Sequence, residues 1–373
     1  MDMVGVFWVS ACVILYIYLG YPLLLAVWAR LAPRPVRKAA AGDAFTWPSI
    51  TIVLAARNEA ARLPARLSNL LDLPYPGHRD IVVVSDGSTD GTAEAAIEFA
   101  HRRKLDSTTI RVLSVPAGGK PLAVNAGVAS ATGEILVFAD SRQRFSSQAL
   151  VELAANFNDE RVGGVTGELI LDSEEAEAGD SSVSEGLGLY WQYEKWMRRN
   201  ESAVWSTLGA TGAIYALRRR LWSPLPAETL LDDVLAPMRA VLQGYRIVFE
   251  ERAVAYDRAS ADAGAERRRK VRTLAGNYQI LGQQPRLLMP VVNPVWIQYL
   301  SHKVGRLLVP WALVLTFLSS ALLAPSSWLY TAALTVQVGF YGLAGLGGLL
   351  EWRSSRQPRE FEGISVPFSK GAR

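Results

Sequence analysis

Two long stretches without a charged residue constrain the fold of this chain more than any other feature. The first covers residues 3–29 and has 27 residues, and the second covers residues 307–350 and has 44. An α-helix needs about 20 apolar residues to cross the hydrocarbon core of a bilayer. The sequence therefore predicts a transmembrane anchor over 1–29 and two transmembrane helices over 306–350, separated near Pro325.

Basic residues beside these stretches predict the orientation of the helices. Both stretches are followed by arginine and lysine: Arg30, Arg34, Arg37 and Lys38 after the first, and Arg353, Arg356 and Arg359 after the second. Because basic flanks stay on the cytoplasmic side, both clusters fit only an odd number of crossings with the N-terminus outside. We therefore expect a multi-pass protein of the plasma (bacterial inner) membrane, with a cytoplasmic domain over 30–286 and a cytoplasmic tail over 351–373.

Three other features refine this topology. No basic residue precedes the first stretch, which is also longer than a usual signal-peptide core, so an uncleaved anchor is favoured over a cleaved signal peptide. Residues 287–305 are too polar and too interrupted by proline to cross, and they predict an interfacial helix. Glycine recurs every third residue from Gly339 to Gly348, which predicts close packing against another crossing or, alternatively, an oligomer contact.

Composition excludes several classes of protein. The single cysteine, Cys12, excludes an internal disulfide framework and a cysteine-rich zinc site. The formal net charge of +4 is too small to indicate a nucleic-acid partner, and none is expected. Gly119-Lys120 is followed by proline and lacks the other residues of a P-loop, and no GxGxxG lies between a strand and a helix. The sequence therefore disfavours P-loop kinases and dinucleotide-dependent dehydrogenases.

The region between the apolar stretches alternates strand-like and helix-like segments. Predicted strands cover 49–55, 80–85, 110–115 and 134–139, and predicted helices cover 59–71, 92–104 and 122–131. Continuously apolar strands alternating with helices indicate a parallel sheet covered on both faces. Ligands of such sheets bind beyond the carboxyl ends of the strands. Polar residues follow three of the four strands there, so the sequence predicts one site at this edge.

Taken in order, residues 51–59, 83–92, 119–127, 133–140 and 231–234 resemble the family 2 glycosyltransferases. They are most similar to the membrane-bound processive branch that includes cellulose, hyaluronan and poly-N-acetylglucosamine synthases. The resemblance covers roughly residues 48–280 and extends to the flanking apolar helices. It implies a GT-A fold, an α/β domain with a mostly parallel sheet that binds a nucleotide-diphospho-sugar.

The resemblance also implies a donor site. The residues that match the family's nucleoside-binding positions are Ala55, Asn58, Glu59, Asp86 and Ser88. Carboxylates suit this role because the ribose hydroxyls and the base N–H are hydrogen-bond donors. Lys120 would approach the nucleotide sugar, and a solvated loop lysine is the alternative. The implied donor is a UDP-sugar.

The family's metal-binding Asp-x-Asp becomes Asp140-Ser141-Arg142 in this chain. Asp140 matches the first carboxylate and would hold Mg²⁺ or Mn²⁺, because a cation on a diphosphate keeps few protein ligands and several waters. Arg142 stands where the second carboxylate is expected and would contribute positive charge to the diphosphate.

The segment 231–234 matches the family's catalytic Glu-Asp motif. Asp233 therefore takes the role of catalytic base and Asp232 that of the supporting carboxylate, since repulsion and burial can raise the pKa of one member of such a pair. Capping of the following helix is the alternative. Thr211, Gly212 and Ala213 resemble the loop on the acceptor side. Arg272 matches an arginine that faces the diphosphate, although its basic run could instead contact anionic headgroups.

These assignments imply an inverting hexosyltransferase that moves a sugar from a UDP-sugar to a hydroxyl of a growing polysaccharide or glycolipid. Three crossings are few for an enzyme that both makes and exports a polymer, so non-processive glycosylation of a lipid carrier such as a polyprenyl phosphate is an alternative. A catalytically inactive nucleotide-sugar-binding assembly subunit is a further alternative, motivated by Arg142 in place of aspartate.

Overall fold

The computed structural model describes residues 2–39, 45–103, 108–172, 181–258 and 263–354. The chain divides into two compact units, one made of Met1–Leu15 with Val309–Arg373 and the other of Tyr16–Leu308. The second unit contains the predicted site residues. The segment 355–373, most of the predicted tail, lies outside the described residues.

The described elements alternate between helix and strand in the middle of the chain, as predicted. The helices are α1 (Met3–Leu15), α2 (Tyr21–Leu31), α3 (Leu63–Asp72), α4 (Thr92–Arg102), α5 (Lys120–Ala129), α6 (Ala149–Ala155), α7 (Ser181–Val204), α8 (Asp232–Val241), α9 (Ala263–Gln283), α10 (Trp296–Gln298), α11 (Gly305–Leu323) and α12 (Trp328–Ser354). The strands are β1 (Ile50–Ala56), β2 (Arg79–Asp86), β3 (Thr108–Val115), β4 (Ile135–Ala139), β5 (Arg144–Phe145), β6 (Val162–Asp172), β7 (Ile214–Arg218) and β8 (Arg246–Arg258).

One eight-stranded sheet forms the centre of the Tyr16–Leu308 unit, in the order β3-β2-β1-β4-β7-β6-β8-β5. The four predicted strands are parallel to their neighbours in this half of the sheet. The other half is mixed: β7 is antiparallel to β4 and β6, β5 is antiparallel to β8, and β6 and β8 are parallel. The expectation of a mostly parallel sheet therefore holds for β1–β4 but not for β5–β8.

Strand register brings the polar strand ends together. Ala56 of β1 pairs with Ser85 of β2, and Leu54 of β1 pairs with Ala139 of β4. Asp86 and Asp140 therefore follow neighbouring strands at one edge of the sheet, which confirms the predicted convergence.

Both faces of the sheet are covered by apolar side chains. Ile52 and Leu54 pack with Leu63 and Leu67 of α3 on one face, whereas Val53 and Phe138 pack with residues of α5 and α8 on the other. Because β1 is buried on both faces, its sequence is continuously apolar rather than alternating. The first predicted helix begins later than expected, at Leu63, where Pro64 suits the first helical turn.

Three helices in the described residues are long and apolar enough to cross a membrane: Met3–Leu31, Trp296–Ser326 and Trp328–Leu349. Their number agrees with the sequence prediction. The second begins at Trp296, inside the segment expected to form a separate interfacial helix; the interfacial position of 287–305 stays a prediction. At Gly339, Gly342, Gly345 and Gly348 an added Cβ would meet no atom within 4 Å, so the described residues do not show the expected packing of this glycine face.

Candidate active site

The loops after β1 and β2 are fastened to each other by the predicted nucleoside-binding residues. Asn58 has a left-handed backbone, with φ 55°. Its side-chain oxygen accepts a hydrogen bond from the Thr89 N–H at 2.9 Å, and its own N–H donates to Ser88 Oγ at 3.1 Å. The next residue, Glu59, donates its N–H to Thr92 Oγ1 at 2.9 Å. These bonds offset the cost of a positive φ at a residue other than glycine.

Asp86 fixes a third loop at the same edge. It is buried, and its carboxylate accepts hydrogen bonds from the N–H groups of Gly118 at 2.7 Å and Gly119 at 3.0 Å. This bond holds the segment that leads into α5 against the end of β2. A carboxylate has about four acceptor positions, so Asp86 keeps capacity for a ligand.

Lys120, the first residue of α5, connects two carboxylates. Its Nζ lies 3.1 Å from Asp140 Oδ1 and 3.4 Å from Asp232 Oδ2. Burial alone would lower the pKa of Lys120, but the carboxylates of Asp140, Asp232 and Asp233 raise it overall, so the ammonium stays charged. Lys120 therefore begins a helix and pairs with two carboxylates, although its side chain stays 40% exposed, and its approach to the nucleotide sugar stays a prediction. Asp140 and Asp232, which lie 20 and 112 positions after Lys120 in the sequence, thus pair with the same ammonium group.

Asp232 and Asp233 are the first two residues of α8. The N-cap of this helix is Leu231, and no side-chain hydrogen bond caps it, so the capping alternative is wrong for both aspartates. Burial, followed by repulsion from Asp232, raises the pKa of Asp233 to about 6, against the attraction of Lys120. A carboxylate with this pKa is ionised at neutral pH and still basic enough to accept a proton.

The predicted acceptor loop contacts Asp233 directly. A Cβ added to Gly212 would lie 2.7 Å from Asp233 Oδ2, so only glycine leaves the carboxylate in this place. The Asp233 carbonyl oxygen also accepts a hydrogen bond from the Ala210 N–H at 2.7 Å. Thr211 is held from the other side, where its N–H donates to Thr166 Oγ1 at 2.8 Å. Ala213, next in the loop, is buried.

A pocket joins the donor and acceptor sides. Its walls come from β1, β4, β7 and the first turns of α5 and α8: Val53, Ala55, Lys120, Val124, Phe138, Ala139, Asp140, Gly212, Tyr215 and Asp232. Five of these ten residues belong to the site predicted from sequence. Apolar walls around a few convergent charges are typical of ligand-binding sites.

Arg142 pairs with a carboxylate that the sequence did not predict as its partner. Its guanidinium lies 3.4 Å from Asp257 Oδ2, and that oxygen also accepts a hydrogen bond from Gln143 Nε2 at 2.8 Å. No group of three His, Cys, Asp or Glu residues able to hold a metal occurs in the described residues. A divalent cation would therefore have Asp140 as its protein ligand there, with the remaining ligands from a diphosphate and water.

Arg272 lies on an exposed part of α9 and is not a wall of the pocket. It shares a helix face with Gly276 and Gln279, four and seven residues later. A Cβ at Gly276 would lie 2.5 Å from Leu231 Cγ, and Gln279 Oε1 accepts the Leu230 N–H at 2.9 Å. The later turns of this face therefore pack beside the start of α8, and the role of Arg272 toward the diphosphate stays a prediction.

Arg66 is a residue of the site that the sequence analysis did not predict. It is 3% exposed, its Nε donates to the Asp140 carbonyl oxygen at 3.0 Å, and its guanidinium lies over the Phe145 ring. Burial lowers the pKa of Arg66 to about 9, against the attraction of Asp140. The sequence contained one indication, because Arg66 lies on the same face of α3 as Leu63, Leu67 and Leu70.

The acceptor side also has a cluster of charged residues that the sequence analysis did not predict. Arg198 of α7 donates to Thr211 Oγ1 at 2.7 Å. On the same helix Glu201 lies 2.6 Å from the buried His302 ring, and Glu194 lies 2.6 Å from Arg306. The ammonium of Lys303, beside His302, lowers the pKa of Asp233. Positive groups from α7 and from the second apolar helix thus approach the acceptor loop.

Comparison with known proteins shows a family likeness over the middle of the chain. The sequence profile of Glycosyl transferase family 2 matches residues 51–222. This segment begins in β1, includes Asp86, Lys120 and Asp140, and ends just after β7. Over this segment the chain is similar to glycosyl transferase family 2. The α8 aspartates follow the matched segment.

Two relatives of known sequence extend the family 2 likeness. The chain is 23% identical over 240 residues to "Probable glycosyltransferase YdaM" of Bacillus subtilis (strain 168), which covers 63% of this chain and 56% of that protein. It is 24% identical over 239 residues to "Poly-beta-1,6-N-acetyl-D-glucosamine synthase" of Staphylococcus aureus (strain COL), covering 62% and 55%. The matches span about half the length of these relatives.

A solved structure supports the fold of nearly the whole chain. It is "Mannosyltransferase PcManGT from Pyrobaculum calidifontis in complex with GDP-Man and Mn2+", with a TM-score of 0.67 and 20% identity, covering 94% of this chain and 95% of that one. Together with the family match, this likeness confirms the predicted fold class, a GT-A domain flanked by apolar helices.

Proposed function

We propose that this protein is an inverting, membrane-anchored glycosyltransferase that moves a sugar from a cytoplasmic UDP-sugar to an acceptor hydroxyl. The observation that carries the proposal is the position of Asp233. Its carboxylate, with a pKa raised to about 6, lies against Gly212, a wall of the pocket that also holds Lys120 and Asp140. Lys120 and Asp140 belong to the segment that matches glycosyl transferase family 2. A base next to a pocket that also holds a diphosphate-binding edge suits displacement at the carbon bonded to the diphosphate.

In the proposed reaction the acceptor oxygen attacks the anomeric carbon from the face opposite UDP, while Asp233 takes the hydroxyl proton. The bond between the anomeric carbon and the diphosphate oxygen breaks, and UDP leaves with the electron pair. Lys120 and Arg272 stabilise the negative charge that develops on the diphosphate. Asp232 raises the basicity of Asp233 and positions Lys120.

The donor set at Asp140 fits a cation that is held mainly by the diphosphate. Asp140 would be its protein ligand, and Mg²⁺ or Mn²⁺ suits oxygen donors of this kind. When bound, the cation would neutralise charge on the diphosphate. PcManGT was solved with Mn²⁺, which supports a metal at this edge.

The acceptor we favour is a growing polysaccharide or glycolipid, as the name of the Staphylococcus aureus relative suggests. A second candidate is the phosphate of a lipid carrier such as a polyprenyl phosphate. It is favoured by Arg198 and Lys303, two cations beside Thr211 and Asp233, because Lys303 belongs to a helix that is apolar enough to enter a membrane. The size of the product distinguishes these two acceptors. Products of many lengths would support a growing polymer as the acceptor, and a single sugar added to a lipid would support the lipid carrier.

We further propose that the three apolar helices cross the plasma membrane with the N-terminus outside and the GT-A domain in the cytoplasm. The positive flanks of the helices support this orientation. Cysteines introduced at position 2 and at position 103 of the cysteine-free C12S protein would report it. We expect an impermeant thiol reagent to label the first from outside intact cells and the second only after permeabilisation; the opposite pattern would contradict the orientation.

The proposed activity is tested by a UDP-release screen with the full chain in membranes, supplied in turn with several UDP-sugars with and without chelator. Membranes without the protein are the control. We expect release from one preferred UDP-sugar and loss of release in chelator. No release from any of these UDP-sugars would contradict the proposed activity and favour the inactive assembly subunit, and full activity in chelator would contradict the metal at Asp140.

A further inference from the structure

The pocket contains one polar group for which the fold gives no role. Tyr215 is 1% exposed, and its hydroxyl has no hydrogen-bond partner in the described part of the chain. It belongs to the wall that also holds Lys120, Asp140, Gly212 and Asp232. Buried hydroxyls are almost always hydrogen-bonded, and leaving one unpaired costs free energy.

Packing alone does not require this hydroxyl. The Tyr215 ring stacks on Phe138 at a centroid distance of 4.4 Å with 17° between the planes, and Phe138 stacks in turn on Trp222 at 5.2 Å. Phe138 fills its place in the same stack without a hydroxyl. Phenylalanine at position 215 would occupy the same volume and avoid the unpaired group. The stack holds the phenol ring in one orientation. The backbone of Tyr215 is fixed as well, because β7 is paired with β4 on one side and β6 on the other.

The charges around the phenol define what it can do. Burial, and then the carboxylates of Asp232, Asp233 and Asp140, raise the pKa of Tyr215 well above its usual value. The hydroxyl therefore stays protonated and available as a donor. It lies on the wall of the pocket that also holds Asp140, at the edge that would bind the diphosphate, and Asp232, next to the proposed base. In the proposed displacement, the transferred sugar is the part of the donor that lies between the diphosphate and the attacking acceptor oxygen.

We propose that Tyr215 is a sugar-recognition residue, whose hydroxyl donates a hydrogen bond to an oxygen substituent on the transferred sugar. This inference rests on the proposed function, because it takes the pocket as the donor-sugar site. A site built to pair with a substituent discriminates strongly against sugars in which that substituent is absent or turned away.

The variant Tyr215→Phe removes the donor and keeps the ring. We expect kcat/KM for the preferred UDP-sugar to fall about 10- to 100-fold. The preference over UDP-sugars that differ at a single hydroxyl or acetamido group should fall by a similar factor. The affinity for UDP itself should stay within about twofold, and the Tm should be unchanged or higher, because an unpaired buried hydroxyl is removed.

A matched control is Tyr75→Phe, which also deletes one phenol hydroxyl. Tyr75 donates to the Pro48 carbonyl oxygen at 2.5 Å, away from the pocket walls. This variant should lower the Tm and leave sugar preference unchanged. The role of Tyr215 in recognition would be overturned if Y215F lowered kcat/KM equally for all UDP-sugars, or changed it by less than twofold. It would also be overturned if Y215F lowered the Tm as Y75F does, because that would indicate a hydrogen bond to a structural water.

A failure of the proposed function is distinguishable from a failure of this inference. If the wild-type protein binds UDP-sugars but releases no UDP, the ratio of the Kd for UDP to that for the best-bound UDP-sugar still tests Tyr215. A fall of about tenfold in that ratio in Y215F would support recognition by the phenol, whereas an unchanged ratio, or no UDP-sugar affinity beyond that for UDP, would overturn it.

Discussion

The two halves of the candidate site differ in how their polar groups are satisfied. On the nucleotide side, Asn58 and Asp86 are hydrogen-bonded to the backbone of neighbouring loops. On the sugar side, Asp232 and Asp233 repel one another, one ammonium is shared by Asp140 and Asp232, and the Tyr215 hydroxyl has no partner in the described chain.

This difference separates a preorganised binding edge from a reactive pocket. The loops of the first half are fixed before a ligand arrives, so little ordering cost remains for binding. The second half keeps like charges and an unpaired donor buried, which costs stability in the free protein and is relieved when a ligand or a proton arrives. Substitutions in the two halves should therefore have opposite effects on stability and different effects on catalysis.

The largest expected effect comes from Asp233→Asn in the reactive half. We expect kcat to fall roughly 10²–10⁴-fold, because no other group takes the proton, while the Kd for UDP stays within about twofold. Titration of UDP and single-turnover measurements on the same preparation check this. Retained turnover would show that Asp233 is not the base, and it would contradict the distinction between a binding half and a reactive half of the site.

The same variant has a predicted effect on stability. The folded pKa of Asp233, about 6, is above its unfolded value of 3.8, so ionisation of this group destabilises the fold as pH rises through that interval. Asn cannot ionise. The Tm of D233N should therefore equal that of the wild type near pH 4 and exceed it above pH 6. A lower Tm at neutral pH would mean that the carboxylate holds the fold together.

The smaller effect belongs to the preorganised half. Asn58→Ala removes the bond to Thr89 and places alanine at φ 55°, which costs about 1–2 kcal/mol for the backbone alone. We expect a lower Tm and a several-fold higher KM for the donor, with kcat nearly unchanged. Asn58→Gly is the matched control, because glycine tolerates this φ and should recover part of the Tm. A large loss of kcat in N58A would place Asn58 with the reactive residues instead.

Much of the β1–β4 half of the sheet was predictable from sequence. Mostly apolar runs define β1, β2 and β4, and the polar residues after them meet because parallel strands end at one edge. The second half of the sheet was not predictable in the same way. Strand β6 contains Gly167, where a Cβ would lie 2.3 Å from the Ala253 carbonyl oxygen, so close approach of β8 requires a residue of low strand propensity.

Site residues divide in the same way. Asp86, Asp140 and Asp233 follow from strand ends and from the family resemblance. Their connection through Lys120, the pairing of Arg142 with Asp257 and the unpaired hydroxyl of Tyr215 depend on contacts between distant segments. Periodicity does not encode such contacts. Only Arg66 left a local trace, as a charge on the apolar face of α3.

The central claim, that a carboxylate made basic by burial and by Asp232 accepts the proton, is tested most directly by the pH dependence of kcat/KM in the wild type and in Asp232→Asn. A base must be ionised, so kcat/KM should rise with pH and reach half its maximum near pH 6, the pKa of Asp233 in the free protein. Removal of the Asp232 charge should lower the pKa of Asp233 and move this limb to lower pH. A profile that is flat between about pH 5 and 8, or a limb that D232N leaves in place, would contradict the account.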